Sequence, residues 1–190
     1  MPDPHPPHGP AHATHPDRHH IAHPTARLSR VLLDGEALTR LSPILEADRA
    51  QAVADLEAEN RFAPIAATTG IAGLRDADIG AGPFVLHLSI QEGRLVFDIR
   101  RDDDARLGTL ALALGPFRRL VKDYQMLVDS HVKAVEEGRE ARIQAIDMGR
   151  RGLHDEGAHL LAGRLAGRIA IDFATARRLF TLVCVLHQRM

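Results

Sequence analysis

Apolar and polar residues alternate along two neighbouring segments, 84–90 and 95–99, and the pair Glu92-Gly93 separates the two. Alternation with a period of two predicts β-strands that each bury one face, and a two-residue connection with glycine is typical of a tight hairpin. The hairpin predicts these cross-strand pairs: Gln91 with Arg94, Ser89 with Val96, His87 with Asp98, and Val85 with Arg100. A second turn at 102–104 predicts a third antiparallel strand over about 106–114.

Apolar residues that recur every three or four positions mark the helices. Pro43 follows the helix-capping residue Ser42. The apolar stripe after them, which includes Ala52, predicts an amphipathic helix over 43–60 whose remaining surface is covered by polar residues such as Asp48 and Asp55. A longer stripe begins at Phe117 and predicts a second helix that ends near residue 137. The rest of the chain is predicted to contain a helix over 139–148 that ends at Gly149, a helix over 153–166, a brief alternating segment over 169–173, and a final helix that Asp172 caps and that ends at His187.

The order of these elements predicts the fold class. Residues 28–34 are predicted to form a first short strand, which ends at the turn pair Asp34-Gly35 before the first helix and the meander. One face of the meander is apolar and must be covered, and the helices that follow it in the chain can provide that cover. We therefore expect an α+β fold, in which an antiparallel meander of three to four strands packs against several C-terminal helices.

The two ends of the chain differ in composition. The first 25 residues contain seven prolines and seven of the twelve histidines, and Ile21 is their only large aliphatic residue after Met1. We expect residues 1–26 to be a disordered His/Pro-rich tail whose imidazoles have only weak, adventitious affinity for metal ions. Residues 27–190 are expected to form a single domain, in which the Gly-, Ala- and Thr-rich segment over 65–81 is a flexible insertion.

Composition excludes several classes of protein. With 45% hydrophobic and 26% charged residues, the chain has ordinary globular usage. Its longest apolar run, 182–186, is far shorter than the roughly 18–20 residues of a membrane helix, and the N-terminal residues contain no secretory signal. A single cysteine, Cys184, excludes an internal disulfide, a zinc ribbon and an iron–sulfur cluster. We expect a soluble, cytoplasmic protein with no cofactor and no membrane partner.

Charge divides the chain in two, although the net charge is only −1. Residues 27–114 carry 10 basic and 14 acidic side chains, whereas residues 115–190 carry 13 basic and 9 acidic ones. Arginine forks bind carboxylates and phosphates at two points, and an anion site would form if the late cations met in space. The candidate ligand-binding residues are Arg118, Arg119, Lys122, Arg150, Arg151, Arg177 and Arg178. The alternative is a set of solvated helix faces, on which each cation pairs with a nearby acid.

The densest polar segment, 147–157, is predicted to join two helices. Its two arginines would bind an anion, and the imidazole of His154 would exchange a proton near neutral pH. The catalytic candidates are His154, Asp147 and Glu156. A plain helix junction is the alternative, with acids suited to the start of the second helix. Gly157 favours a functional site, because a glycine inside a helix costs about 1 kcal/mol and the sequence shows no packing reason for it.

Two other groups of residues have features of metal or catalytic sites. His154 and His159 are five residues apart, one more than the spacing that places two zinc ligands on one helical face, so no metal site is expected. His87 and Asp98 are predicted to lie opposite each other in the hairpin, and a carboxylate that orients an imidazole is part of many catalytic sites. The alternative is an ordinary cross-strand pair without function, since no third catalytic member is evident.

Six segments together resemble a bacterial family known as uncharacterised protein family 0262: 60–64 (NRFAP), 82–90 (GPFVLHLSI), 94–100 (RLVFDIR), 116–124 (PFRRLVKDY), 146–152 (IDMGRRG) and 176–187 (ARRLFTLVCVLH). The resemblance covers residues 27–190. The tail departs from the family pattern, and so does the 65–81 loop, which is longer than is usual in the family. The resemblance implies a soluble bacterial protein and supplies no catalytic residues, because the family has no established activity.

Three functions remain open from the sequence. The first is a binding or regulatory module whose clustered arginines recognise a phosphate-bearing small molecule or RNA. The second is a small enzyme with His154 as general acid/base, Asp147 or Glu156 as its orienting group, and Arg150 and Arg151 as an anion clamp. This enzyme would need a pocket next to His154. The third is a structural protein that acts as a homodimer.

Overall fold

The computed structural model describes residues 26–34, 41–65, 70–75, 78 and 82–187. The expected tail over 1–25, the predicted turn residue Gly35 and parts of the 65–81 segment lie outside these residues. The strands are β1 (Leu28–Asp34), β2 (Phe62–Pro64), β3 (Phe84–Gln91), β4 (Arg94–Arg101), β5 (Arg106–Ala113) and β6 (Ile169–Ile171). The helices are α1 (Pro43–Ala58), α2 (Arg118–Glu136), α3 (Glu140–Leu165) and α4 (Phe173–His187), and a short 3₁₀ turn (Gly115–Phe117) precedes α2.

The predicted meander is confirmed as β3, β4 and β5, and all four predicted cross-strand pairs of the hairpin are present. The main sheet has the strand order β1-β3-β4-β5, so the fold is α+β as expected. The sheet is mixed, however, because β1 pairs with β3 in parallel. Helix α1 lies in the connection between these two strands, and a parallel pair requires such a crossover. Strands β2 and β6 form a second, two-stranded antiparallel sheet.

One hydrophobic core joins the apolar face of the sheet to all four helices. Leu86 and Phe97 are fully buried on the sheet, and Leu56, Tyr124 and Phe180 are fully buried on the helices. The apolar part of α4, from Leu179 to Leu186, is buried. Asp172 caps α4 as predicted: its carboxylate accepts a hydrogen bond from the Thr175 amide at 2.7 Å.

The prediction of two helices over 139–166 is wrong, because α3 is one continuous helix of 26 residues. Gly149 and Gly152 both lie inside it, so residues 149–152 form no loop. Packing explains the glycine at position 157, although the sequence alone did not show this. A Cβ atom on Gly157 would lie 2.3 Å from the Phe180 ring, so glycine is what lets α3 and α4 approach each other. Its place in the helix is therefore explained by packing.

The described part of the 65–81 segment packs against the sheet. Ile71 and Leu74 are buried, and Ala72 exchanges two backbone hydrogen bonds of 2.9 Å with Thr109 in β5. Gly108 makes this approach possible, since a Cβ atom there would lie 2.9 Å from Ile71 and 3.1 Å from the Ala72 carbonyl oxygen. Residues 71–74 therefore lie along β5, the edge strand of the main sheet, and partly cover it.

Candidate functional site

Helices α1, α3 and α4 meet around a pocket of about 170 Å³. Each helix contributes residues because the three pack side by side, with α4 in the middle and in contact with the other two. The lining residues are Asp48, Gln51, Ala52 and Asp55 of α1, His154 of α3, and Arg177, Arg178 and Thr181 of α4. The pocket therefore has an acidic wall, formed by Asp48 and Asp55 of α1, and a basic wall, formed by Arg177 and Arg178 of α4. His154 of α3 also lines it.

The acidic wall follows from the spacing of residues on α1. Asp48, Ala52 and Asp55 are separated by four and then three positions, so they project from one face of the helix. The Asp48 carboxylate accepts a hydrogen bond from the Tyr124 hydroxyl and one of 2.5 Å from Arg150. Asp55 accepts a hydrogen bond of 2.7 Å from the Gln51 side chain. Asp48 is thus held by a cation, whereas Asp55 has no cationic partner within 4 Å among the described residues.

The basic wall consists of two arginines at the start of α4. Arg177 donates from Nε to the carboxylate of Asp155 at 2.8 Å. Arg178 donates to the backbone carbonyl of Glu59 at 2.5 Å. In the part of the chain that the structure describes, the terminal nitrogens of Arg177 donate no hydrogen bond to protein. Both terminal nitrogens of this guanidinium, with their four N–H groups, therefore remain for a ligand.

His154 is a largely buried imidazole at the edge of the pocket. Its ring stacks on the Tyr124 ring with centroids 5.5 Å apart and meets the edge of Phe180 at 6.2 Å. The Nε2 atom is buried and has no hydrogen-bond partner among the residues that the structure describes. Burial, and then the positive charges of Arg177 and Arg150, lower the pKa of His154 to about 4. The imidazole is therefore neutral at pH 7.

The structure does not bring the proposed orienting groups to His154. Asp147 lies 4.0 Å from the ring of His131 and 3.9 Å from Arg150. Glu156 accepts a hydrogen bond of 2.6 Å from Arg119. Both carboxylates thus interact with other side chains on the faces of α3 that do not line the pocket.

The seven candidate cations occupy different surroundings. Arg177 and Arg178 share the pocket. Arg150 points inward to Asp48. The neighbouring side chain of Arg151 is exposed, because successive residues on a helix point about 100° apart. The exposed members that do not line the pocket are Arg118, Arg119, Lys122 and Arg151.

The remaining sequence candidates take part in local contacts. His87 interacts through Nδ1 with Asp34 at 2.9 Å. Asp98, which is opposite His87 in the register, instead accepts hydrogen bonds from Arg100 at 2.8 Å and from Arg106 at 2.8 Å. The ring of His159 packs against that of Phe173 with centroids 4.8 Å apart. Cys184 is fully buried.

Sequence reasoning missed the acidic wall of the pocket. It treated Asp48 and Asp55 as part of the polar cover of α1. A usable signal was present, because both acids lie on the same helical face as the apolar stripe residue Ala52. An acid at the border of a buried stripe requires a partner, and the partner of Asp48 proved to be Arg150.

The chain matches known proteins along nearly all of its length outside the tail. The model of a family described as "Uncharacterised protein family (UPF0262)" matches residues 25–189. A UPF0262 protein of Granulibacter bethesdensis is 70% identical over 164 residues, which are 86% of this chain and 91% of that relative. UPF0262 proteins of Acidiphilium cryptum and of Bradyrhizobium sp. strain ORS 278 are 58% and 50% identical, over 86% of this chain and 93% and 90% of theirs. No solved structure matches the chain.

Within the part of the chain that the structure describes, no helix is both long enough and apolar enough to cross a bilayer.

Proposed function

The chain belongs to the uncharacterised protein family UPF0262, and we propose that it is a binding module that holds a small anionic molecule in the pocket between α1, α3 and α4. The anion is a phosphate or carboxylate group, and its contacts are the guanidinium groups of Arg177 and Arg178. Thr181 lies one turn further along α4 and also lines the pocket, where its hydroxyl donates a hydrogen bond of 3.2 Å to the Arg177 backbone carbonyl.

One observation carries this proposal: two adjacent arginines line one pocket, and Arg177 keeps its terminal nitrogens free of protein acceptors among the described residues. Adjacent helical residues usually point in different directions, so their joint presence at one cavity is informative. Guanidinium groups bind phosphate and carboxylate by paired hydrogen bonds, and these bonds are stronger than those between neutral groups.

The size of the pocket favours a small ligand over RNA. A volume of about 170 Å³ lies below the roughly 300–1,000 Å³ of clefts that enclose drug-sized ligands. Of the other candidate arginines, Arg118, Arg119 and Arg151 are exposed outside the pocket, and Arg150 is mostly buried against Asp48. Binding to a nucleic-acid backbone requires a continuous basic surface. The positions of these arginines do not support such a surface.

Binding is better supported than catalysis. The pocket beside His154 is the feature that the enzyme hypothesis requires, and it is present. A general acid/base works best when its pKa is near the working pH, whereas the pKa of His154 is lowered to about 4. Asp147 and Glu156 contact other residues, so neither supports His154 as an orienting group.

The test is a thermal-shift titration of the full chain at pH 8 with inorganic phosphate, ethyl phosphate and propionate, at constant ionic strength. A ligand at about 100 times its dissociation constant adds about 2.7 kcal/mol of stability. In a domain of this size the melting temperature should then rise by roughly 5–10 °C. At higher sodium chloride concentration the rise should shrink, because salt screens partly exposed charges.

Variants separate the pocket from general salt effects on stability. The double variant Arg177→Gln/Arg178→Gln should lose the ligand-dependent rise, whereas Arg151→Gln, which removes an exposed arginine outside the pocket, should retain it. Circular dichroism checks that each variant is folded. An equal rise in the double variant and the wild type, or no rise with any of the three anions, would contradict the proposal.

A further inference from the structure

The pocket is lined by charges of both signs. Asp48 and Asp55 form one wall, and Arg177 and Arg178 form the other. His154 adds no charge at neutral pH. The formal charges of the lining residues therefore cancel, so a purely anionic ligand would meet attraction from one wall and repulsion from the other.

The two walls do not neutralise each other directly. Among the described residues, neither arginine of α4 has an ion pair within 4 Å with Asp48 or Asp55. The arginines instead contact Asp155 and Glu59, which lie outside the pocket lining. Opposite charges that face the same cavity without touching leave a gap that a ligand of matching polarity can span.

The carboxylates of Asp48 and Asp55 differ in whether a cation of the protein already binds them. Asp48 is already occupied by Arg150 at 2.5 Å and by the Tyr124 hydroxyl. Among the described residues, Asp55 has only the neutral Gln51 amide as a side-chain partner, at 2.7 Å. Asp55 is half-buried and lines the pocket, so its carboxylate is the one that a ligand cation would neutralise.

We propose that the ligand of this pocket is a small zwitterion, whose anionic group binds Arg177 and Arg178 and whose ammonium group binds Asp55. The class comprises amine-bearing carboxylic acids and amine-bearing phosphate monoesters. This inference rests on the proposed function, since it assigns a second contact to the same bound molecule. The gain in selectivity has a physical reason: the ammonium group removes the repulsion that a simple anion experiences at the acidic wall.

The test compares matched probes by isothermal titration calorimetry on the full chain at pH 8. Phosphoethanolamine is compared with ethyl phosphate, which lacks the ammonium group, and with ethanolamine, which lacks the phosphate. β-Alanine and propionate form the corresponding carboxylate pair. We expect a zwitterion to bind about fivefold more tightly than its matched anion in at least one series, the factor typical of one partly exposed ion pair. The series with the larger preference identifies the anionic group.

Substitution of Asp55 tests the assigned contact. Asp55→Asn keeps an oxygen that can accept the Gln51 hydrogen bond, and it removes the charge. It should abolish the preference for phosphoethanolamine over ethyl phosphate, while Asp129→Asn, an exposed change on α2, should leave the preference intact.

The outcomes distinguish the two proposals. Equal binding of the zwitterion and its matched anion in both series would overturn the zwitterion inference and leave the anion site in place. A preference that survives in Asp55→Asn would overturn the assigned contact. Absence of binding by every anionic probe would overturn both the inference and the proposed function on which it rests.

Discussion

Gly157 of α3 lies against the Phe180 ring of α4 so closely that a Cβ atom on the glycine would lie 2.3 Å from a ring carbon. This contact fixes the distance between the two helices that supply His154 and the pocket arginines. The pocket therefore depends on a residue that does not itself line it.

Gly157→Ala should destabilise the protein. The added methyl group has no room beside Phe180, and overpacking of this kind costs about 1–3 kcal/mol. Gly152→Ala is the matched control in the same helix, since no described atom beyond its chain neighbours and the backbone of its own helix lies within 4 Å of its Cβ position. Gly152→Ala should stabilise the protein by about 0.5–1 kcal/mol through helix propensity. Urea unfolding measures both changes, and equal effects of the two substitutions would contradict the packing argument.

Arg150→Gln should reduce stability more than the loss of an exposed ion pair does. Arg150 and Asp48 are only 15% and 21% exposed, so loss of one partner leaves the other charge poorly solvated. We expect a loss of about 1–3 kcal/mol, below the 3–5 kcal/mol of fully buried pairs because some solvent reaches both groups.

Arg119→Gln is the control for that prediction. Arg119 and Glu156 are 74% and 56% exposed, and such pairs contribute about 0–1 kcal/mol. A double-mutant cycle of Arg150→Gln with Asp48→Asn, followed by urea unfolding, isolates the energy of the Arg150–Asp48 interaction. A coupling energy no larger than that of the Arg119–Glu156 pair would show that partial burial adds nothing.

Stability should fall in mild acid because of His154. Its pKa in the folded protein is lowered to about 4, so between that value and the ordinary pKa near 6.5 the unfolded chain binds more protons than the folded one. The contribution of His154 is fully present above about pH 6.5 and is lost as the pH falls, by about 2 kcal/mol between pH 7.5 and pH 5.

Comparison with a variant isolates this effect from the titration of other groups. His154→Gln removes the titrating imidazole, so its unfolding free energy should change less between pH 7.5 and pH 5 than that of the wild type. His159→Gln, on the exposed side of α3, should keep the wild-type pH dependence. Parallel pH profiles for His154→Gln and the wild type would show that the imidazole is not held in its neutral form by burial.

The sheet could be predicted largely from the sequence because its signals are local. Alternation on both sides of Glu92-Gly93 fixed the hairpin register, which the structure confirms pair by pair. The parallel pairing of β1 with β3 could not be read in the same way. Their partnership depends on where α1 packs, and no pattern within either strand records that long-range contact.

The error in α3 has a related cause. Glycine has low intrinsic helix propensity, so Gly149 and Gly152 are reasonable helix ends when only neighbouring residues are considered. Packing of α3 against α2 and α4 stabilises one long helix through both positions.

The candidate site lies elsewhere than the sequence predicts for the same reason. With no loop at 149–152, Arg150 and Arg151 point in different directions, and the pocket is completed by acids of α1 that are distant in sequence.

Gly108→Ala should detach the segment around Ala72 from the sheet. A Cβ atom at Gly108 would meet Ile71 at 2.9 Å and the Ala72 carbonyl oxygen at 3.1 Å, and the latter is backbone that cannot rotate away. The Ala72 and Thr109 amides, which bond to each other's carbonyls at 2.9 Å, should then exchange with deuterium faster than in the wild type. We expect a loss of about 1–3 kcal/mol in unfolding free energy. Gly163→Ala is the control, because its Cβ position has no described atom within 4 Å beyond its chain neighbours and the backbone of its own helix, and it should leave both exchange rates unchanged. If Gly108→Ala preserved the protection of the Ala72 amide, the close packing of this segment on β5 would be refuted.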